Sequence, residues 1–173
     1  MTQFIAHRGA SATYPEHTRA AYVEALAQGA DGLECDVQLT ADGEVVLWHD
    51  AILDRTSDAS GPLHALSLAE LRALDVWSWR STAAAPASHG AQDAQVLTLA
   101  EPVALAVGAG RPVTLVVELK HPSPAGHGLE DAVLAMFSAK PGVGQPSIFS
   151  LNASGAFDDK PANVLGFTAG GVK

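Results

Sequence analysis

An α/β fold on a parallel sheet, either doubly wound or closed as a barrel, is what this sequence predicts, and two observations predict it. Six short apolar runs bounded by turn residues recur along the chain, and helical patterns lie between several of them. Strands that alternate with helices run parallel and are joined by crossovers. The 173 residues, 47% of them hydrophobic, are enough for a sizeable core, so a single domain over residues 1–173 is expected.

The apolar runs are QFIAH, GLECDVQL, EVVLWHD, PVTLVVELK, PSIFSL and NVLGFT, rich in Val, Ile, Leu and Phe as buried strands are. TRAAYVEALAQ, residues 18–28, carries apolar positions at helical spacing, with Thr18 placed to cap its start and Gly29 just past its end. SLAELRAL opens with Ser67 and Glu70 at capping-box spacing. TLAEPVALAV repeats that box at Thr98 and Glu101, although Pro102 removes a donor early. GLEDAVLAMFSAK puts acids in its first turn and Lys140 in its last, as the helix dipole favours. Residues 51–95 break the alternation with two tryptophans, one good helix and the small-residue run STAAAPASHGAQ. An excursion of that length is usually functional, while the small-residue run within it reads as a mobile linker.

A formal net charge of −9 without a localised basic patch opposes nucleic acid or anionic membrane as the main partner. No stretch is long and apolar enough to span a bilayer, and MTQFIAHRG lacks the regions of a signal peptide, so a cytoplasmic location is expected. The single cysteine, Cys35, has no internal disulfide partner and reads as a packed thiol.

In GLECDVQLT, alternation along a strand turns Glu34 and Asp36 to one face and Cys35 to the other. Flanking Leu33, Val37 and Leu39 make the segment look buried, and carboxylates that leave water must be paired or bind metal. VVELKH repeats the pattern, with Glu118 and Lys120 on one face. A third carboxylate from a separate strand would complete an all-oxygen site, which favours Mg²⁺ or Ca²⁺ over softer metals. A plain Glu–Lys pair at a strand end is the alternative. His7 and His49 each end an apolar run, and in a parallel sheet both fall at the edge where such folds build their sites. Two imidazoles there can share acid and base work on a phosphodiester. His64, His89, His121 and His127 lie in loop-like sequence and read as surface residues.

Taken together, HRG, PEHT, GLECDVQLTADG, HD, DRTSD and VELK resemble the glycerophosphodiester phosphodiesterase family, whose usual signature is HRG, PENT, ExD, HD and ExK. The resemblance covers roughly residues 3–120, in the same order and with similar spacing. It implies a TIM-type (β/α) barrel that begins with the first strand and carries an insertion after an early strand, corresponding to residues 51–95. Its metal ligands match Glu34, Asp36 and Glu118, and its acid/base histidines match His7 and His49. Arg8 and Lys120 match the residues that hold the phosphate, and Glu16 matches a polar residue near the site. The implied reaction is hydrolysis of a small-molecule glycerophosphodiester to glycerol 3-phosphate and an alcohol, with Mg²⁺ or Ca²⁺ as cofactor and water or a substrate hydroxyl as nucleophile.

Two departures accompany the resemblance. His17 stands where the family usually has Asn in PENT, and the chain is shorter than the roughly 250 residues of a full barrel. The stretch NASGAFDDKPA is too short and glycine-broken for a covering helix, so the barrel is expected to be incomplete at the C-terminal end. A fragment, a natural truncation and a protomer completed in a homo-oligomer are the open alternatives. A lysophospholipase D-like enzyme and an inactive relative serving as a binding or assembly subunit are the alternative functions.

Overall fold

The strand Gly32–Leu39 is the spine of the sheet, and its pairing explains the placement of everything else. The computed structural model describes residues 2–80, 91–120, 123–138, 147–148 and 164–169, the last two stretches through their backbone alone. Along the chain lie β1 (Ile5–His7), α1 (Arg19–Ala27), β2 (Gly32–Leu39), β3 (Val45–Leu47), α2 (Leu68–Arg72) and α3 (Ala100–Gly108). They are followed by β4 (Val113–Leu119), α4 (Gly128–Ser138), β5 (Ser147–Ile148) and β6 (Val164–Ala169). Single 3₁₀ turns occupy Leu63–Ala65 and Ala91–Ala94.

The sheet runs β1-β2-β4-β6-β5, with β3 also on β2. β1 and β4 flank β2 in parallel, as the strand and helix alternation predicts, so these three strands form the expected barrel segment. Two strands depart from the parallel expectation. β3 runs antiparallel to β2, because the five residues Thr40–Glu44 suffice for a hairpin and are too few for a crossover. β6 runs antiparallel to β4 and takes up the backbone donors and acceptors of its free edge. The incomplete barrel anticipated at the C-terminal end is therefore an open sheet whose last pairing reverses direction.

β1 and β3 share one edge of β2 and approach each other head-on. β1 pairs with Gly32–Glu34 and ends at His7, whereas β3 pairs with Leu39 back to Val37 and Trp48 N–H then donates to Asp36 O. The chain ends of both strands thus meet beside residues 34–36.

One face of the sheet makes the main core: Leu33, Cys35 and Val37 of β2 with Val113, Leu115, Val117 and Leu119 of β4, against Tyr22, Val103, Leu129 and Val133 from the helices. At about 25 cal/mol per Å² of apolar surface, each fully buried Leu or Val contributes roughly 1.5–3 kcal/mol. α1 starts with Thr18, whose hydroxyl accepts from Ala21 N–H, and Gly29 turns the chain at φ +83° just after its end. The capping box of α2 is fully formed by Ser67 and Glu70.

The box expected at Thr98 is not. Thr98 gives both its backbone N–H (2.7 Å) and its hydroxyl (3.1 Å) to Glu101, so the hydroxyl caps nothing and α3 begins uncapped after Leu99. Residues 51–80 pack over a second apolar cluster, with Trp48, Leu53, Leu63, Leu71, Val76 and Val96 buried in it. Most of the run STAAAPASHGAQ, the stretch NASGAFDDKPA, Lys140, His89 and His121 lie outside the described residues. His64 and His127 are exposed, as expected.

Candidate active site

Alternation on β2 does what the sequence suggests. Cys35 is wholly buried in the core, and Glu34 and Asp36 leave from the opposite face. Parallel register then supplies their neighbours: His7 sits beside Glu34, and Glu118 beside Asp36. One carboxylate oxygen from each of Glu34, Asp36 and Glu118 lies within 4.8 Å of the others. The cluster already draws in a cationic group, the Lys120 ammonium 2.8 Å from buried Asp36 Oδ1, and all three donors are hard oxygens. Both observations fit a site for a divalent cation.

The turn after β1 feeds cationic groups into this cluster. Arg8 and Gly9 adopt φ +56° and +79°, which swings the Arg8 backbone N–H onto Glu34 Oε2 at 2.9 Å. At Gly9 a Cβ would come 2.7 Å from the backbone of Ala21, so only glycine lets α1 pack this close. The Arg8 side chain places Nε 2.8 Å from Asp36 and an amino group 3.1 Å from Glu16. Lys120 bridges Asp36 (2.8 Å) and Glu118 (2.6 Å). Both predicted phosphate-holding residues are therefore tied to the acids as well as near them.

His17, at φ +61° ahead of α1, is buried and directs Nε2 to Asp36 Oδ2 at 3.0 Å, with Nδ1 2.9 Å from the Tyr22 hydroxyl. Tyr22 in turn donates to the Glu34 carbonyl at 3.1 Å. His17 thus steadies a candidate ligand.

The two histidines arrive on the same side. His7 Nε2 is 3.9 Å from Glu34 Oε2, with its ring largely exposed, and the charge of His49 reaches it. His49 lies two residues past the antiparallel strand β3, contrary to the parallel reading, yet the head-on approach of β3 to β1 brings it to the same level. Its Nδ1 donates to Asp50 Oδ1 at 2.6 Å.

Electrostatics separate the acids. Burial, then the charge of Asp36, raises Glu34 from 4.5 to about 7. Burial also pushes Asp36 up, but hydrogen bonds and charge from His17 and Lys120 outweigh it and hold that carboxyl well below the usual range. Burial and then the Arg8 charge lower His7, favouring its neutral, proton-accepting ring.

Three residues of the site were not singled out from the sequence: Tyr22, Asp50 and Arg55. Asp50 and Arg55 stood in the quoted motifs HD and DRTSD, which was their available signal. Tyr22 gave none, because a core tyrosine's hydroxyl partner depends on tertiary packing.

A cluster of hard-oxygen donors with flanking imidazole, guanidinium and ammonium groups, toward the C-terminal ends of parallel strands, defines a candidate divalent-cation site of the kind α/β folds build there. Residues 7–145 match the model of the glycerophosphoryl diester phosphodiesterase family, and the chain belongs to that family. It is 43% identical over 168 residues to a probable glycerophosphodiester phosphodiesterase 1 of Mycobacterium tuberculosis, covering 97% of this chain and 57% of that protein. A putative glycerophosphodiester phosphodiesterase of Bacillus subtilis is 41% identical over 123 residues, 70% of this chain and 46% of the relative.

Among solved structures, an Oleispira antarctica phosphodiesterase in complex with the product sn-glycerol-3-phosphate superposes with a TM-score of 0.68 at 33% identity. The match covers 80% of this chain and 53% of that one. A glycerophosphodiester phosphodiesterase of Agrobacterium tumefaciens gives 0.62 at 34% identity, over 79% and 53% of the two chains. The chain spans about half the length of these relatives.

Proposed function

We propose that this chain carries the catalytic centre of a phosphodiesterase that hydrolyses small glycerophosphodiesters to glycerol 3-phosphate and an alcohol. The observation that carries the reading is the meeting of Glu34, Asp36 and Glu118 within 4.8 Å, with His7 and His49 beside them. The product bound by the Oleispira antarctica relative supports the substrate class.

Glu34, Asp36 and Glu118 would hold Mg²⁺ or Ca²⁺, which when bound neutralises phosphate charge and acidifies a hydroxyl or water. Arg8 and Lys120 add fixed positive charge against the phosphate oxygens. His7 and His49 divide the proton transfers: one ring takes the proton of the nucleophile, and the other delivers one to the departing alcohol oxygen. Glu16 and His17 act behind them by holding Arg8 and Asp36. The acidic charge of −9 supports a small-molecule substrate rather than nucleic acid. Among the described residues no helix is long and apolar enough to cross a membrane. A cytoplasmic location and assembly with a second copy complete the reading.

Hydrolysis of glycerophosphocholine, followed by release of glycerol 3-phosphate, tests it. EDTA should abolish turnover, and Mg²⁺ or Ca²⁺ should restore it. His7→Ala and His49→Ala should each remove it, and retained activity in either variant would overturn the assignment.

A further inference from the structure

Arg55, from the excursion after β3, makes the densest set of ionic contacts near the site without touching a carboxylate of the cation cluster. Its two amino groups grip Glu16 as a fork, at 2.7 Å and 3.0 Å, and its Nε reaches Asp50 Oδ2 at 2.5 Å. The guanidinium carbon stands 6.0 Å over the ring of Trp79, so the same excursion braces it from behind. Glu16 also binds Arg8, and the other oxygen of Asp50 binds His49 Nδ1. A continuous chain therefore runs from His49 through Asp50, Arg55, Glu16 and Arg8 to Asp36.

We propose that Asp50 and Arg55 are positioning residues for His49, with Asp50 fixing the ring in the Nδ1–H tautomer and Arg55 holding Asp50 in place. A carboxylate only accepts, so the ring nitrogen it faces must carry the proton. In the neutral ring the lone pair is then confined to Nε2, the nitrogen left for proton transfer. The backbone cannot swing away, because the Gln38 amide nitrogen on β2 lies 3.2 Å from the carbonyls of Trp48 and His49 and 2.6 Å from that of Asp50. Arginine is needed because three directed contacts to two carboxylates require a planar fork, which the point charge of lysine does not supply. Asp50 and Glu16 both have their carboxyls lowered despite burial, chiefly by hydrogen bonds to Arg55, which agrees with a fully ionised network.

The role rests on the phosphodiesterase reading above, and two measurements keep the two apart. ¹⁵N NMR of histidine-labelled protein at about pH 8, where ordinary imidazoles are neutral, reads the tautomer of His49 directly, with His49→Gln assigning its signals. The wild type should show Nδ1–H. Asp50→Asn, whose amide can donate to Nδ1, should move the ring to Nε2–H, and Arg55→Lys should give a mixture of the two.

Kinetics on glycerophosphocholine should show kcat reduced roughly 10²- to 10⁴-fold in Asp50→Asn with KM within about threefold, the pattern of a misoriented acid/base histidine. A wild-type ring already in the Nε2–H form, or an unchanged tautomer and kcat in both variants, would overturn the proposal. The expected tautomer change between the wild type and Asp50→Asn, found together with a wild type that hydrolyses nothing, would support the ring-fixing contact and sink the phosphodiesterase reading instead.

Discussion

Neutralising the two acids of β2 one at a time should move stability in opposite directions. Asp36 is wholly buried and lies within 3.0 Å of Arg8, His17 and Lys120. Asp36→Asn strips the counter-charge from those groups, and removing one half of a buried ion pair costs about 3–5 kcal/mol. For a chain of this size that lowers the melting temperature by roughly 6–20 °C. Glu34 is the reverse case. Its carboxyl rises from 4.5 to about 7, so the fold prefers the protonated form and this group's contribution to stability falls as pH rises through that window. Above it the ionised carboxylate costs about 3 kcal/mol.

Glu34→Gln keeps an oxygen to accept from the Arg8 N–H, so it should be near neutral at about pH 5 and raise the melting temperature by up to roughly 10 °C at about pH 8. Scanning calorimetry in chelator across that range measures both variants. Equal losses from the two substitutions, or a pH-independent effect of Glu34→Gln, would refute the charge assignment.

Two other expectations are simpler. Gly9→Ala should cost about 1–3 kcal/mol in urea denaturation and depress hydrolysis with it, because the new Cβ meets Ala21 backbone at 2.7 Å in a turn held at φ +79°. Ser67→Ala removes the exposed capping box of α2 and should cost about 1 kcal/mol in the same assay while leaving kcat unchanged.

Local rules made much of this molecule legible. Strand alternation turned Glu34 and Asp36 away from Cys35, and short-range capping chemistry placed the starts of α1 and α2. The direction of β3 was not legible, because an apolar run reads alike in either sense and only the turn length before it decides. The capping reading at Thr98 failed for a related reason: Arg72, 29 residues away, also binds Glu101 at 2.8 Å and helps draw that carboxylate into a different arrangement. At the site, residue types and order pointed to His7, His49 and the three acids. Arg55 stood in a quoted motif without a role, since its partner Glu16, 39 residues earlier, is brought to it by a separate loop.

The hairpin between β2 and β3 works as a ruler. Its closure, Thr40 N–H to Glu44 O at 3.0 Å, sets how far the returning chain travels before it delivers an imidazole beside the end of β1. One residue added or removed at Ala41–Gly43 would slide the return by about 3.4 Å and turn alternate side chains over. Drift in loop length, which surface turns usually absorb without penalty, should here misplace the imidazole and exchange Val45 and Leu47 with Val46 and Trp48 between the two apolar clusters.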